Sequence, residues 1–317
     1  MKKQLLFIAP DYYGFNEVVS DGLKKYSDYT VIDINATLPF QYKNIGERIY
    51  NFFLKFFLKK NIKNIRKGRH IRETISQYNK FDLLVVNRPD VLDIDDLKLA
   101  LRKSKRSVCL LWDSIEKIPT QEQYLSFFDK ILSFDPEDCE SFGFTPITNF
   151  YFKNEKTENV EYDIALLMTY DNRIQDAIKI FQYFNKQGIK AKAKIFTHQP
   201  QLIQENLPRG MEVIHQIIPF KKAYEYYLDC KAILDIAHPH QRGLSFRPFE
   251  AIGLQKKLVT NANLRHTDFY NENNIHIIEN IDNIQIPKMF FENSYNEINA
   301  EVKEKYFIKQ WIQTIIL

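Results

Sequence analysis

Residues 231–261 read KAILDIAHPHQRGLSFRPFEAIGLQKKLVTN, and the pattern of this stretch decides the fold. The run Ala232-Ile233-Leu234-Asp235-Ile236 predicts a buried strand. A polar loop follows, His238-Pro239-His240-Gln241-Arg242-Gly243. Ser245 is an N-cap candidate, with Arg247, Pro248 and Glu250 in the first helical turn. Gly253 near the end makes the helix short, and Leu258-Val259-Thr260 predicts the next strand. This strand–loop–helix–strand unit belongs to an α/β sheet. Its helix start offers free N–H groups and partial positive charge. With Arg242 and Arg247 beside it, a phosphate or pyrophosphate is the natural guest.

Arg247-Pro248-Phe249-Glu250-Ala251-Ile252-Gly253, followed by Lys257-Leu258-Val259-Thr260, resembles the donor-nucleotide segment of GT-B glycosyltransferases. The resemblance is closest to the bacterial capsule and lipopolysaccharide branch related to CgeB-like proteins. It implies that Glu250 bonds a nucleotide ribose and that the helix start faces the pyrophosphate. Retaining members carry a second acid eight positions before that Glu. Here the position holds Arg242, so the pair is absent and inversion is favoured. The specific motif spans only residues 243–261, while the architecture covers most of the chain. The alternative for this stretch is an ordinary crossover in a doubly wound sheet.

At 317 residues, the chain suits two domains rather than one. Apolar residues make up 44%, enough for two cores, and a net charge of +4 gives no general nucleic-acid signature. Cys109, Cys139 and Cys230 are too far apart for metal-ligand spacing and fit a reducing compartment. The apolar run Leu5–Ala9 is too short for a signal-peptide core, and no stretch reaches spanning length. A cytoplasmic location is expected, with peripheral contact at the inner face of the membrane as an option.

The first half reads as a Rossmann-like sheet. Strands are expected at 4–9, 29–34, 81–86, 107–112 and 130–134, with helices at 15–26 and 93–104. Gly14 stands alone, so the dinucleotide fingerprint of a dehydrogenase is missing. The charged stretch 153–161 is the linker candidate, giving domains of 1–155 and 156–317. After it the pattern restarts, with strands at 163–168, 191–196 and 211–215 and helices at 174–187 and 220–229. Residues 296–317 fit a helix interrupted near Tyr306, which either packs on its own domain or crosses back to the first.

Residues 43–72 carry ten Lys or Arg against one acid, Glu47, and the first half is interleaved with aromatics. Three readings stand: a basic helix on anionic lipid, a groove for a lipid-linked diphosphate, or a sheet-packed helix with a solvated tail.

In an open parallel sheet, ligands sit at the carboxyl ends of strands. That position nominates Asp11 and Asp113 as catalytic candidates, with Asp113 preferred as general base. Asp135 is better read as a helix cap before Pro136 and Glu137. Asp93-Ile94-Asp95 spells a D-x-D but sits like a helix start, so no metal is expected. Arg173, His238, Arg242, Gly243, Ser245, Arg247 and Glu250 form the donor set, with His240 a weaker addition. The expected function is transfer of a sugar from a nucleotide-sugar to a glycan or lipid-linked acceptor. The alternatives are a non-catalytic nucleotide-binding scaffold and a two-domain nucleotide-sugar epimerase. Donor sugar, nucleotide base and acceptor are left open.

Overall fold

The computed structural model describes the chain except Met1, Leu38, Pro39, Lys59, Lys60, Gln204, His240 and Gln241. It divides into two compact α/β units. One comprises Met1–Ile147 with Ile312–Leu317, and the other Thr148–Trp311.

The first unit holds six parallel strands: β1 Lys3–Ala9, β2 Tyr29–Asn35, β3 Leu83–Asn87, β4 Ser107–Leu111, β5 Lys130–Ser133 and β6 Thr145–Pro146. Their spatial order is β2-β1-β3-β4-β5-β6. The strands at the sheet centre are buried along their length, as continuous runs such as Leu83-Leu84-Val85-Val86 require. Ile71, Ile75, Leu97 and Ala100 from flanking helices complete one core. The basic stretch forms two helices, Ile45–Leu58 and Ile62–Ser76, with Asn61 capping the second.

The second unit holds β7 Tyr162–Thr169, β8 Ala191–Phe196, β9 Met211–Ile214, β10 Cys230–Asp235, β11 Lys257–Thr260 and β12 Ile275–Ile277. Their order is β12-β11-β10-β7-β8-β9, again parallel. β6 and β12, two and three residues long, give too little pattern to be legible in the sequence. The expected helix over 220–229 is a short helix Phe220–Ala223 that tightens into a 3-10 turn, Tyr224–Tyr227.

The unit boundary falls just before the charged stretch 153–161, because Tyr151 is already anchored in the second unit. Its backbone pairs with Phe307, and its N–H donates to the Tyr306 carbonyl at 3.0 Å. The same bridge separates the helices Ala300–Lys305 and Ile308–Ile316, giving the interruption expected near Tyr306. The last residues then return to the first unit. There Gln313 Nε2 donates to the Tyr26 carbonyl at 2.6 Å, and Arg106 Nη2 to the Ile316 carbonyl at 2.8 Å.

Candidate functional site

The sequence-nominated donor residues lie on the loops after two neighbouring strands of the second unit, β7 and β10, and on the helix that follows β10. Chain order reverses between β7 and β10: from β7 the strands run outward through β8 and β9 on one side, and through β10, β11 and β12 on the other. Such a switch point leaves a crevice at the carboxyl ends of the two central strands, because the connections leave to opposite sides. The loop after β7 carries Asp171 and Arg173. The loop after β10 carries His238, Arg242, Gly243 and Ser245.

Arg173 ties the loops together. Its Nη1 donates to the Ile236 carbonyl at 2.9 Å, while Nε and Nη2 donate to Asp171 at 3.0 and 2.6 Å. Burial works to raise the Asp171 carboxyl, but the Arg173 bonds, helped by the charge of His238, outweigh it and hold the group below its ordinary range. Arg173 also stands at the start of the helix Ile174–Gln187. Two helix starts, those of Ile174–Gln187 and Arg247–Leu254, therefore follow the two switch-point strands. Arg242 is exposed and His238 half-buried. His240 lies outside the described residues.

Asp235 is the residue that sequence reading passed over. It ends β10 at 4% exposure. Ser245 Oγ donates to one carboxylate oxygen at 2.8 Å and Thr260 Oγ1 to the other at 3.0 Å. Burial pushes its carboxyl above the ordinary range. The available signal was a lone acid inside an apolar run, since buried carboxylates persist only where donors meet them. Ser245 does not cap the helix in the expected way: Phe246 occupies the N-cap position. The Ser245 hydroxyl instead bridges, accepting from the Arg247 N–H at 3.2 Å while donating to Asp235.

Arg247 and Glu250 are turned into the unit. One helical turn apart, they form an ion pair, with Glu250 only 3% exposed. Arg247 also donates to the Leu167 carbonyl at 3.2 Å, and its guanidinium lies 5.3 Å from the centre of the Tyr227 ring. Burial opposes the Arg247 charge, but Glu250 outweighs it and keeps the guanidinium protonated; burial raises the Glu250 carboxyl. Glu250 Oε1 is buried without a hydrogen-bond partner. Gly253 falls near the end of a short helix, as expected: the helix runs to Leu254 before Gln255 turns left-handed at φ 52°. The glycine serves close approach: a Cβ there would lie 2.4 Å from the Lys153 carbonyl oxygen.

The first unit has its own switch point, between β1 and β3. Asp11 follows β1 with an exposed side chain, and its N–H donates to Thr37 Oγ1 at 2.9 Å. Arg88 follows β3, holds Asp90 through two bonds of 2.8 and 2.9 Å, and lies 5.9 Å from the Tyr12 ring centre. The Asp90 bonds raise the Arg88 guanidinium further, with smaller help from Tyr12 and Asp113. Tyr13 and Arg88 both adopt positive φ, at 61° and 56°. Non-glycine residues in that region cluster where a site imposes backbone strain. Sequence reading did not select Arg88, because conformation at a strand end has no compositional signature. Asp113 follows β4, one strand over, and its carboxylate accepts from Lys117 Nζ at 2.5 Å. Asp135 caps the helix Pro136–Phe142, and Asp93 caps Ile94–Arg102. Both therefore occupy helix-start positions, as the sequence indicated.

A scan against protein-family models finds no match, and neither does a search of curated proteins. Solved structures do resemble the chain in fold. An α,α-trehalose 6-phosphate synthase from Burkholderia multivorans aligns with a TM-score of 0.55 at 7% identity, covering 100% of this chain and 96% of that one. The T4 phage β-glucosyltransferase aligns at 0.50 with 11% identity, covering 99% and 100%. A DNA-modifying β-glucosyltransferase, studied with and without its substrate uridine diphosphoglucose, aligns at 0.50 with 10% identity over 98% of each chain. The shared feature is the GT-B fold class, two Rossmann-like α/β units in one chain.

Proposed function

We propose that this protein is a glycosyltransferase that moves a sugar from a nucleotide-sugar to a polysaccharide or lipid-linked acceptor in bacterial surface-glycan synthesis, without a metal. The observation that carries the reading is the meeting of Arg173, His238 and Ser245 at the β7/β10 switch point, on loops that also carry Arg242 and Gly243, beside two helix starts. Departure of a nucleoside diphosphate needs N–H donors and fixed positive charge at the pyrophosphate. In this reading the helix starts after β7 and β10 offer the N–H donors and Arg242 the charge; Arg173 and Arg247 are paired with Asp171 and Glu250. The solved neighbours support the class: one acts with uridine diphosphoglucose as substrate. The likeness of residues 243–261 to capsule and lipopolysaccharide enzymes supports the pathway.

In this reading the second unit binds the donor and the first binds the acceptor. Arg247 and Glu250, paired inside the unit, fix the helix start on which the donor loop rests. Asp113 serves as general base, held beside Lys117 and the Arg88 charge, with Asp11 the competitor. The location is the cytoplasmic side, where nucleotide-sugars are made.

Calorimetric titration of UDP, GDP, CMP, dTDP and ADP into the full chain tests the donor site. One nucleotide should bind at micromolar strength and weaken at least tenfold in Arg242→Ala, a change at an exposed side chain that spares the fold. Absence of binding by every nucleotide to folded protein would sink the reading.

A further inference from the structure

The helix Ile45–Leu58 is amphipathic the wrong way round for a protein that meets only water. Its inward stripe carries two polar residues, Glu47 and Asn51, with Leu54 as its one apolar member. Glu47 pairs with Arg66 of the next helix, and Asn51 accepts from the Ile62 N–H at 2.8 Å and donates to Tyr42 Oη at 2.7 Å. Those bonds fix which side faces the protein. The opposite side presents Phe52, Phe53, Phe56 and Phe57, with Phe56 at 72% and Phe57 at 69% exposure. The four rings form a plate: Phe52 stacks on Phe56 and Phe53 on Phe57, with centroids 6.4 and 6.1 Å apart. Ile49 and Ile45 extend the same face one and two turns toward the helix start. A contiguous exposed apolar surface of this kind marks a contact site, because water penalises it.

The charges around it say what covers it. Arg66, Lys67 and Arg72 are engaged by Glu47, the Val91 carbonyl and Asp96. Arg48 and Lys55 on one flank of the aromatic face, and Lys63 and Arg69 on the next helix, are exposed and make no ion pair among the described residues. A second copy docking by two-fold symmetry would set this cationic rim against itself. An anionic lipid surface offers the opposite charge and an apolar layer at the depth the rings need. The 14-residue helix is about 21 Å long, shorter than a bilayer core of about 30 Å. No helix among the described residues is long and apolar enough to cross a membrane.

We propose that the helix Ile45–Leu58 lies flat in an anionic bilayer surface, its phenylalanine plate inserted and its basic flank on the headgroups. This docking stands apart from sugar transfer and is measured without it. The full chain is floated with phosphatidylcholine vesicles, with and without phosphatidylglycerol, at low and high salt. Two variants accompany it: Phe52→Ser with Phe56→Ser, and Lys55→Glu with Lys63→Glu and Arg69→Glu. All replaced side chains are exposed, so circular dichroism and Tm should match the parent.

The parent should float with phosphatidylglycerol vesicles only, and less at high salt. The serine variant should bind more weakly by roughly tenfold for each ring lost, and the charge-reversed variant should not float. Equal flotation of parent and serine variant overturns the proposal, as does failure of the parent to float with anionic vesicles. So does a lipid-free dimer, seen by light scattering, that the serine substitutions dissociate, since the plate would then be a contact between copies.

Discussion

Glu250 carries its carboxylate one helical turn from Arg247, and the two close an ion pair inside the second unit rather than at its surface. The resemblance in sequence sees two charged residues at the start of a nucleotide-binding helix. The structure shows a pair that also anchors that helix to the Leu167 carbonyl and the Tyr227 ring. Loss of either residue therefore acts first on folding.

Glu250→Ala leaves the largely buried Arg247 guanidinium without its counter-charge and should destabilise the protein by about 3 kcal/mol. Replacing both residues with apolar side chains of similar volume should cost less than either single change. Urea unfolding of the four members of the cycle checks this. Additive losses would show that the two side chains are not coupled.

Gly253→Ala should destabilise by about 1–3 kcal/mol. The added Cβ would meet the Lys153 carbonyl oxygen at 2.4 Å and Tyr151 Cδ2 at 2.5 Å, and a backbone oxygen cannot rotate aside. A Tm equal to that of the parent would show that the helix moves outward at no cost.

Asp113→Asn removes the proposed base and a partly exposed pair with Lys117. Transfer should fall roughly 10²- to 10⁴-fold, while stability changes by about 1 kcal/mol or less, as for surface pairs. Nucleotide affinity should not change. Full activity in Asp113→Asn with loss in Asp11→Asn would move the base to the first loop.

Asp235 sets a pH dependence whose sign follows from burial. Its folded-state pKa lies above the ordinary 3.8, so the folded protein holds this proton more tightly than the unfolded chain. The contribution to stability is full below 3.8 and is lost as pH rises through the folded value. Asp235→Asn cannot titrate. The stability of the parent relative to this variant should therefore decline between pH 4 and the folded value, as followed by thermal unfolding across that range. A difference that is constant with pH would place the carboxylate at its ordinary pKa.

The sequence by itself determined the elements. Apolar runs such as Leu5–Ala9 and Ala232–Leu234, separated by helices of 3.6-residue period, dictate parallel strands with crossovers, because side-chain periodicity follows from local backbone geometry. It also located the polar loops after β1, β4, β7 and β10 that carry the nominated residues. Tertiary structure alone decided strand order, and with it which loops meet. Arg173 reaches the Ile236 carbonyl only because β7 and β10 are neighbours, and Asp235 finds Thr260 only because β11 lies beside β10. It likewise decided that Arg247 and Glu250 face inward, and that the phenylalanines of Ile45–Leu58 face outward. An amphipathic pattern gives the helix two faces. Which of them meets the protein depends on partners such as Arg66 and Ile62, whose contacts close only on folding.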